Sequence, residues 1–149
     1  MYELTKQKSE GRVILFGIII FTFISAVLKM AFYRSPTTLN DDLIKAANEI
    51  NSHAPVILDS STRFDYVNAL HGNTFQYNYT LTKVDTALFD TTGLMGNAKQ
   101  SMLEEIRRNP NISFFADNNI EIQARYTDRQ GKEVCIVTIP AAEYKSGRR

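Results

Sequence analysis

A single cysteine, Cys135, stands among 149 residues. One thiol cannot form a disulfide within the chain, and a zinc or iron–sulfur site built from several cysteines is equally excluded. Histidine is scarce too. His53 and His71 have no H-x-E-x-H or clustered Cys/His spacing around them, so no metal site is expected. His53 falls at an expected helix end and His71 in an expected turn, and those positions account for both. Nor is there an excess of charge of one sign: the formal net charge is +1, which leaves no basic field for nucleic acid. P-loop, dinucleotide and nucleophile-elbow patterns are missing, so no catalytic residue and no cofactor is expected, and the protein is not expected to be an enzyme.

What the chain does have is an ordinary globular composition, 44% hydrophobic and 22% charged, with room for one compact domain and one membrane span. The span is the clearest feature. From Val13 to Leu28 the sequence VILFGIIIFTFISAVL carries no charge. Continued through Lys29 to Tyr33 it gives about 21 residues and roughly 31 Å of helix, enough for a bilayer core. Lys29 can snorkel to the headgroups beside Phe32 and Tyr33. Lys6, Lys8 and Arg12 precede the run and only Arg34 follows it closely, which favours a cytoplasmic N-terminus and an exported C-terminal domain. A cleavable signal peptide is the rival reading, but Ile24 and Lys29 spoil the candidate cut sites and the apolar run exceeds a typical h-region. Thr22, Ser25 and Lys29 share one helix face and form a candidate contact with another transmembrane helix. Backbone bonding by Thr22 and Ser25 explains the same residues without a partner.

Beyond the span, periodicity predicts an α+β domain. Asn40, Asp41 and Asp42 supply a cap and first-turn carboxylates, and Leu39, Leu43, Ala47 and Ile50 a helical stripe that ends near Ser52-His53, before Pro55. Val56 to Asp59 and Arg63 to Leu70 are β-prone, and His71-Gly72-Asn73 is a turn. Phe75, Tyr77, Tyr79 and Leu81 then alternate with Gln76, Asn78, Thr80 and Thr82, which predicts a strand with one buried and one wet face. Val84 to Gly96 is ambiguous. A helix follows from Asn97, with Met102, Leu103 and Ile106 as its apolar side and Arg107-Arg108 complementing its C-terminal dipole. A hairpin closes the domain: Ile120 to Thr127, a turn at Asp128 to Gly131, and Val134 to Ile139. Cys135, amid Val134, Ile136 and Val137, is expected to be buried. The expected order is α-β-β-α-β-β, an antiparallel sheet with helices on one face. The expected organisation is a cytoplasmic segment 1–12, a transmembrane helix 13–33, a linker 34–38, a periplasmic domain 39–144 and a tail 145–149.

Asp59, Thr62, Arg63 and Asp65, followed by Asn73, Thr74, Tyr77, Asn78, Tyr79, Thr80 and Leu81, form a pattern D-x-x-T-R-x-D and N-T-x-x-Y-N-Y-T-L. The pattern resembles the signature of a poorly characterised family of small bacterial periplasmic domains, membrane-anchored or of lipoprotein type, and the closing ARYTDRQGKEV fits the same family. The resemblance spans most of residues 39 to 139 and implies a periplasmic setting, with no catalytic residues to carry over. Members often carry paired cysteines, and the single Cys135 departs from that.

Asp59, Arg63, Asp65 and Asn73 are the candidate interaction residues. Arg63 could take a carboxylate bidentately; a salt bridge tying strand ends together is the plainer reading of the same residues. The aromatic stripe Phe75, Tyr77 and Tyr79 is expected in the core rather than stacked on a ligand. The function expected from the sequence is that of a single-pass inner-membrane protein whose periplasmic module binds another envelope protein, as an accessory of an envelope or secretion complex. The alternative is an immunity or inhibitor protein that blocks a periplasmic enzyme or toxin with the loop from Asp85 to Asp90.

Overall fold

A computed structural model describes residues 39–83, 91–108 and 112–145, with side chains left out for 91–94. The expected span Val13–Tyr33, the candidate contact Thr22, Ser25 and Lys29, and the loop Asp85 to Asp90 lie outside the described residues. Among the described residues, no helix is long and apolar enough to cross a membrane.

Helix α1 (Leu39–Asn51) opens the domain with Asp41 and Asp42 in its first turn, and buries Leu43, Ala46, Ala47 and Ile50. Three strands follow, β1 (Val56–Ile57), β2 (Thr62–Leu70) and β3 (Thr74–Leu81). Next come α2 (Thr91–Arg108), α3 (Ser113–Asp117), β4 (Glu121–Asp128), β5 (Glu133–Ile139) and α4 (Ala141–Lys145). The five strands form one sheet in sequence order, β1-β2-β3-β4-β5.

The fold is α+β, as the periodicity predicted, but three expectations need correction. The sheet is not wholly antiparallel: β3 and β4 run parallel, from Thr74 beside Glu121 to Leu81 beside Asp128. Parallel neighbours cannot be joined by a hairpin, and the chain between them holds α2 and α3. The second helix starts at Thr91 rather than Asn97, so Gly93 and Gly96 lie inside it. Each glycine costs a helix about 1 kcal/mol relative to alanine. The packing of Ile106, Met102 and Leu103 against the core offsets that. Third, the alternating polar residues of β3 are not wet. Gln76, Asn78 and Thr80 are buried beside Phe75, Tyr77 and Tyr79; β3 is the central strand, and their side chains are hydrogen-bonded to residues of β2 and β4 on either side. The two short helices α3 and α4, and the shortening of the first strand to Val56–Ile57, were also not foreseen.

One core lies on the apolar face of the sheet. Phe64 and Val67 of β2, Phe75, Tyr77 and Tyr79 of β3, Ile122 and Ala124 of β4, and Val137 and Ile139 of β5 meet buried residues from each of the described helices, Ile106, Phe115 and Tyr144 among them. Tyr144 closes one end by donating its hydroxyl to the Ile120 carbonyl. Tyr79 and Tyr126 stack across the parallel seam, with ring centroids 5.2 Å apart.

The outer edge of β2 is finished by a side chain. β1 pairs only with Phe64 and Arg63. Farther along, the Asn51 amide takes the place of a strand: its Oδ1 accepts from Val67 N at 2.7 Å and its Nδ2 donates to Val67 O at 2.9 Å. Asn51→Ala strips both partners from Val67 and should destabilise the domain by about 1–3 kcal/mol. Urea unfolding of the variant beside the parent measures this, and an unchanged midpoint would refute the assignment.

Candidate functional site

Side chains alternate across a strand, so the sheet has a second face opposite the core. Four transverse rows cross it. Leu70, Thr74 and Glu121 make the first, and Asn68, Gln76, Gln123 and Thr138 the second. Tyr66, Asn78, Arg125 and Ile136 make the third, and Arg63, Thr80, Thr127 and Glu133 the fourth. Ile57, paired with Arg63, extends the fourth row outward. The described helices send their buried residues into the core on the other side.

A bulge shapes the fourth row. The β2–β3 register shifts between Phe64 and Tyr66, and the extra residue is Asp65. With one residue inserted, Asp65 and Tyr66 both emerge on this face. Asp65 thereby reaches Arg63, whose Nε donates to its Oδ1, and Thr80, whose hydroxyl donates to Oδ2 at 2.6 Å. Arg63 Nη2 also donates to Thr80 Oγ1 at 3.3 Å, and Thr127 Oγ1 lies 3.4 Å from the same oxygen. Arg63 is therefore held by Asp65 of its own strand and by Thr80 of β3, and the ion pair itself does not tie two strand ends together.

The other two candidate residues stand apart from this pair. The Asp59 carboxylate accepts from the Ser61 amide at 2.5 Å and the Ser61 hydroxyl at 2.6 Å, closing the turn between β1 and β2. Partial burial pulls its pKa up, but the hydrogen bonds from Ser61 and Thr62 outweigh burial and hold it below the ordinary aspartate value. Asn73 sits at the opposite end of β3, about 20 Å from Thr80 along the strand. There it takes a positive φ of 57° after Gly72 at 82°, a backbone state that asparagine and glycine tolerate, and its carbonyl accepts from Glu121 N at 2.9 Å. Asn73 is a turn residue, and the expected four-residue cluster reduces to Arg63 and Asp65.

Arg125 is paired in the same way as Arg63, donating from Nε to Glu133 at 2.9 Å. Gln76 Nε2 donates to Gln123 Oε1 at 2.9 Å, and Gln123 passes a donor to Glu121 at 2.8 Å. Asn78 Nδ2 donates to the carbonyls of Tyr66 and Gln76, while its buried Oδ1 has no hydrogen-bond partner. Sequence reasoning missed this amide row, although the polar half of the β3 alternation was its signal.

Cys135 is buried, as expected, and burial together with the Glu133 charge pushes its thiol pKa up, opposite to what an activated nucleophile needs. Burial likewise raises the phenols of Tyr77, Tyr79 and Tyr126. His53 sits beyond the end of α1 with Nδ1 2.9 Å from the Ser52 hydroxyl, and His71 lies in the β2–β3 turn. Among the described residues, no three His, Cys, Asp or Glu side chains gather into a metal-binding group.

No family model matches the chain, and no curated protein matches it either. A similar fold occurs in a crystal structure of a Pseudomonas aeruginosa protein provisionally described as secreted. The TM-score is 0.61 at 10% identity, over 72% of this chain and 98% of that one. At that identity the likeness is one of fold.

Proposed function

We propose that the chain is an exported interaction module, held at a bacterial inner membrane by Val13–Tyr33 and working beside an envelope or secretion complex. The observation that carries this reading is the fold shared with a protein described as secreted, taken together with the uncharged run that precedes the domain. Tethering raises the effective concentration of the module for neighbouring proteins. Strand β5 offers a docking edge: no described strand pairs with its outer side, and Val134 to Ile139 carries no charge. A partner segment can add there by main-chain bonding.

The membrane orientation has a direct test. Alkaline phosphatase fused after Arg149 is expected to be active in a Gram-negative host, and a green fluorescent protein fused at the same place dark. The reverse pattern would place the domain in the cytoplasm and end the proposal. Crosslinking in intact cells then identifies the bound protein.

A further inference from the structure

Exposed apolar side chains are not spread evenly over the domain. Of the five large ones exposed among the described residues, four belong to α1, β1 and β2: Ile44 at 42%, Ile57 at 70%, Tyr66 at 42% and Leu70 at 36%. The fifth, Met95, lies on α2, which packs on β5 at the other side of the sheet. Ile57, Tyr66 and Leu70 stand on the outward sheet face along its β1–β2 margin. Ile44 looks to the same margin from the helix. It lies two turns before Asn51 and shares its face of α1, and Asn51 reaches the Val67 backbone on the outer side of β2.

The tether is attached at this margin. α1 packs on β2, and residues 34–38 are all that separate Leu39 from the end of the proposed span. That stretch reaches roughly 20 Å at full extension, whereas a domain of this size is roughly 30 Å across. The β5 border cannot be turned to the bilayer, because Leu39 would then stand farther from it than the linker reaches. The α1–β2 margin stays close to the headgroups, and apolar side chains beside a tyrosine suit that layer. A few half-exposed residues would hold a free domain to a bilayer only weakly. The tether supplies the local concentration that makes so small a contact count.

We propose that the α1–β2 margin rests on the bilayer that holds the tether, with Ile44, Ile57, Tyr66 and Leu70 entering the interfacial layer of zwitterionic lipid. The charges on the margin do not favour anionic headgroups: on α1 Asp41, Asp42 and Glu49 outnumber Lys45, and Arg63 is paired with Asp65. Docked in this way, the domain turns β5 away from the bilayer and leaves that border to a partner. The inference rests on the tethered reading of Val13–Tyr33.

The chain has no tryptophan, so a single introduced indole reports alone. Ile57→Trp, Tyr66→Trp and Met95→Trp are each made in the full chain and reconstituted in phosphatidylcholine vesicles, with and without bromine on the acyl chains near the headgroup. Bromine should quench Ile57→Trp and Tyr66→Trp, whose emission should also move to the blue, and should leave Met95→Trp bright. Adding Ile57→Gln to Tyr66→Trp should reduce the quenching, while about 0.5 M salt should not. If the chain floats with the vesicles but Ile57→Trp and Tyr66→Trp stay bright, the docking fails and the tether stands. A chain that does not float with them ends both. Equal quenching of Met95→Trp would show that no side is preferred, and a blue shift that follows protein concentration rather than lipid would give the margin to a second copy; either result overturns the proposal.

Discussion

Replacing Phe75 with alanine should cost about 3–5 kcal/mol, a large share of the 5–15 kcal/mol that typically holds a domain of this size together. Phe75 is fully buried near the start of the central strand β3. Its ring meets Tyr77 edge-on at 5.4 Å and Phe115 at 5.3 Å, so it joins the central strand to α3 as well as filling the core. Truncation removes the transfer free energy of the ring and leaves a cavity between elements that cannot close up independently. Thermal or urea unfolding of Phe75→Ala measures the loss. A cost below about 1 kcal/mol would mean that α3 does not pack on the sheet. Phe75→Leu, which keeps much of the volume, should recover a good part of the difference.

Asp128→Ala should be nearly as damaging, for a polar reason. Asp128 ends β4 and is 2% exposed, an unusual place for a carboxylate. It stands there because the turn to β5 needs acceptors. Its Oδ1 accepts from Gln130 N and Lys132 N, both at 2.9 Å, while its own amide donates to Lys132 O at 2.8 Å and its carbonyl accepts from Gly131 N at 3.0 Å. Gly131 completes the reversal at φ +82°, where a side chain would be strained. Hydrogen bonds to a charged acceptor contribute about 1.5–3 kcal/mol each, and the two share one oxygen, so a total near 3 kcal/mol is expected. Asn, with a neutral oxygen in the same place, should lose less than Ala. Equal stability of Asp128→Ala and the parent in urea unfolding would remove the carboxylate from the account of this turn.

Local signals carried most of the secondary structure. The first helix was legible because Asp41, Asp42 and the Leu43–Ala47–Ile50 stripe agree with one another, and the β4–β5 hairpin because a polar turn with Gly131 separates two alternating runs. The parallel pairing of β3 with β4 was not legible, since strand direction across a long crossover leaves no mark in either strand. The start of α2 was hidden by Gly93 and Gly96, whose low helix propensity is overridden by packing farther along. Of the candidate site, Arg63 and Asp65 could be named from their charges. Their meeting with Thr80 depends on a bulge that no residue type announces. Asn51 and Asp128 read as an ordinary helix end and an ordinary turn, because a side chain's reach to a distant or following backbone is a tertiary fact.

The Asn51 clamp on Val67 leaves the sheet with unlike borders. On one side the strand is cut to Val56–Ile57, and beyond it Asn51 occupies the backbone groups of Val67 that another chain would need. On the other side no described strand pairs with the outer side of β5. A molecule with two receptive borders can be extended at both, which is how strand pairing runs on into fibres. With one open border, any strand pairing between copies of this domain would terminate at a closed two-fold pair, and a strand taken at β5, as proposed above, would use up the position. The side-chain amide of a helix-terminal asparagine thereby closes one of the two borders at which a chain could join the sheet.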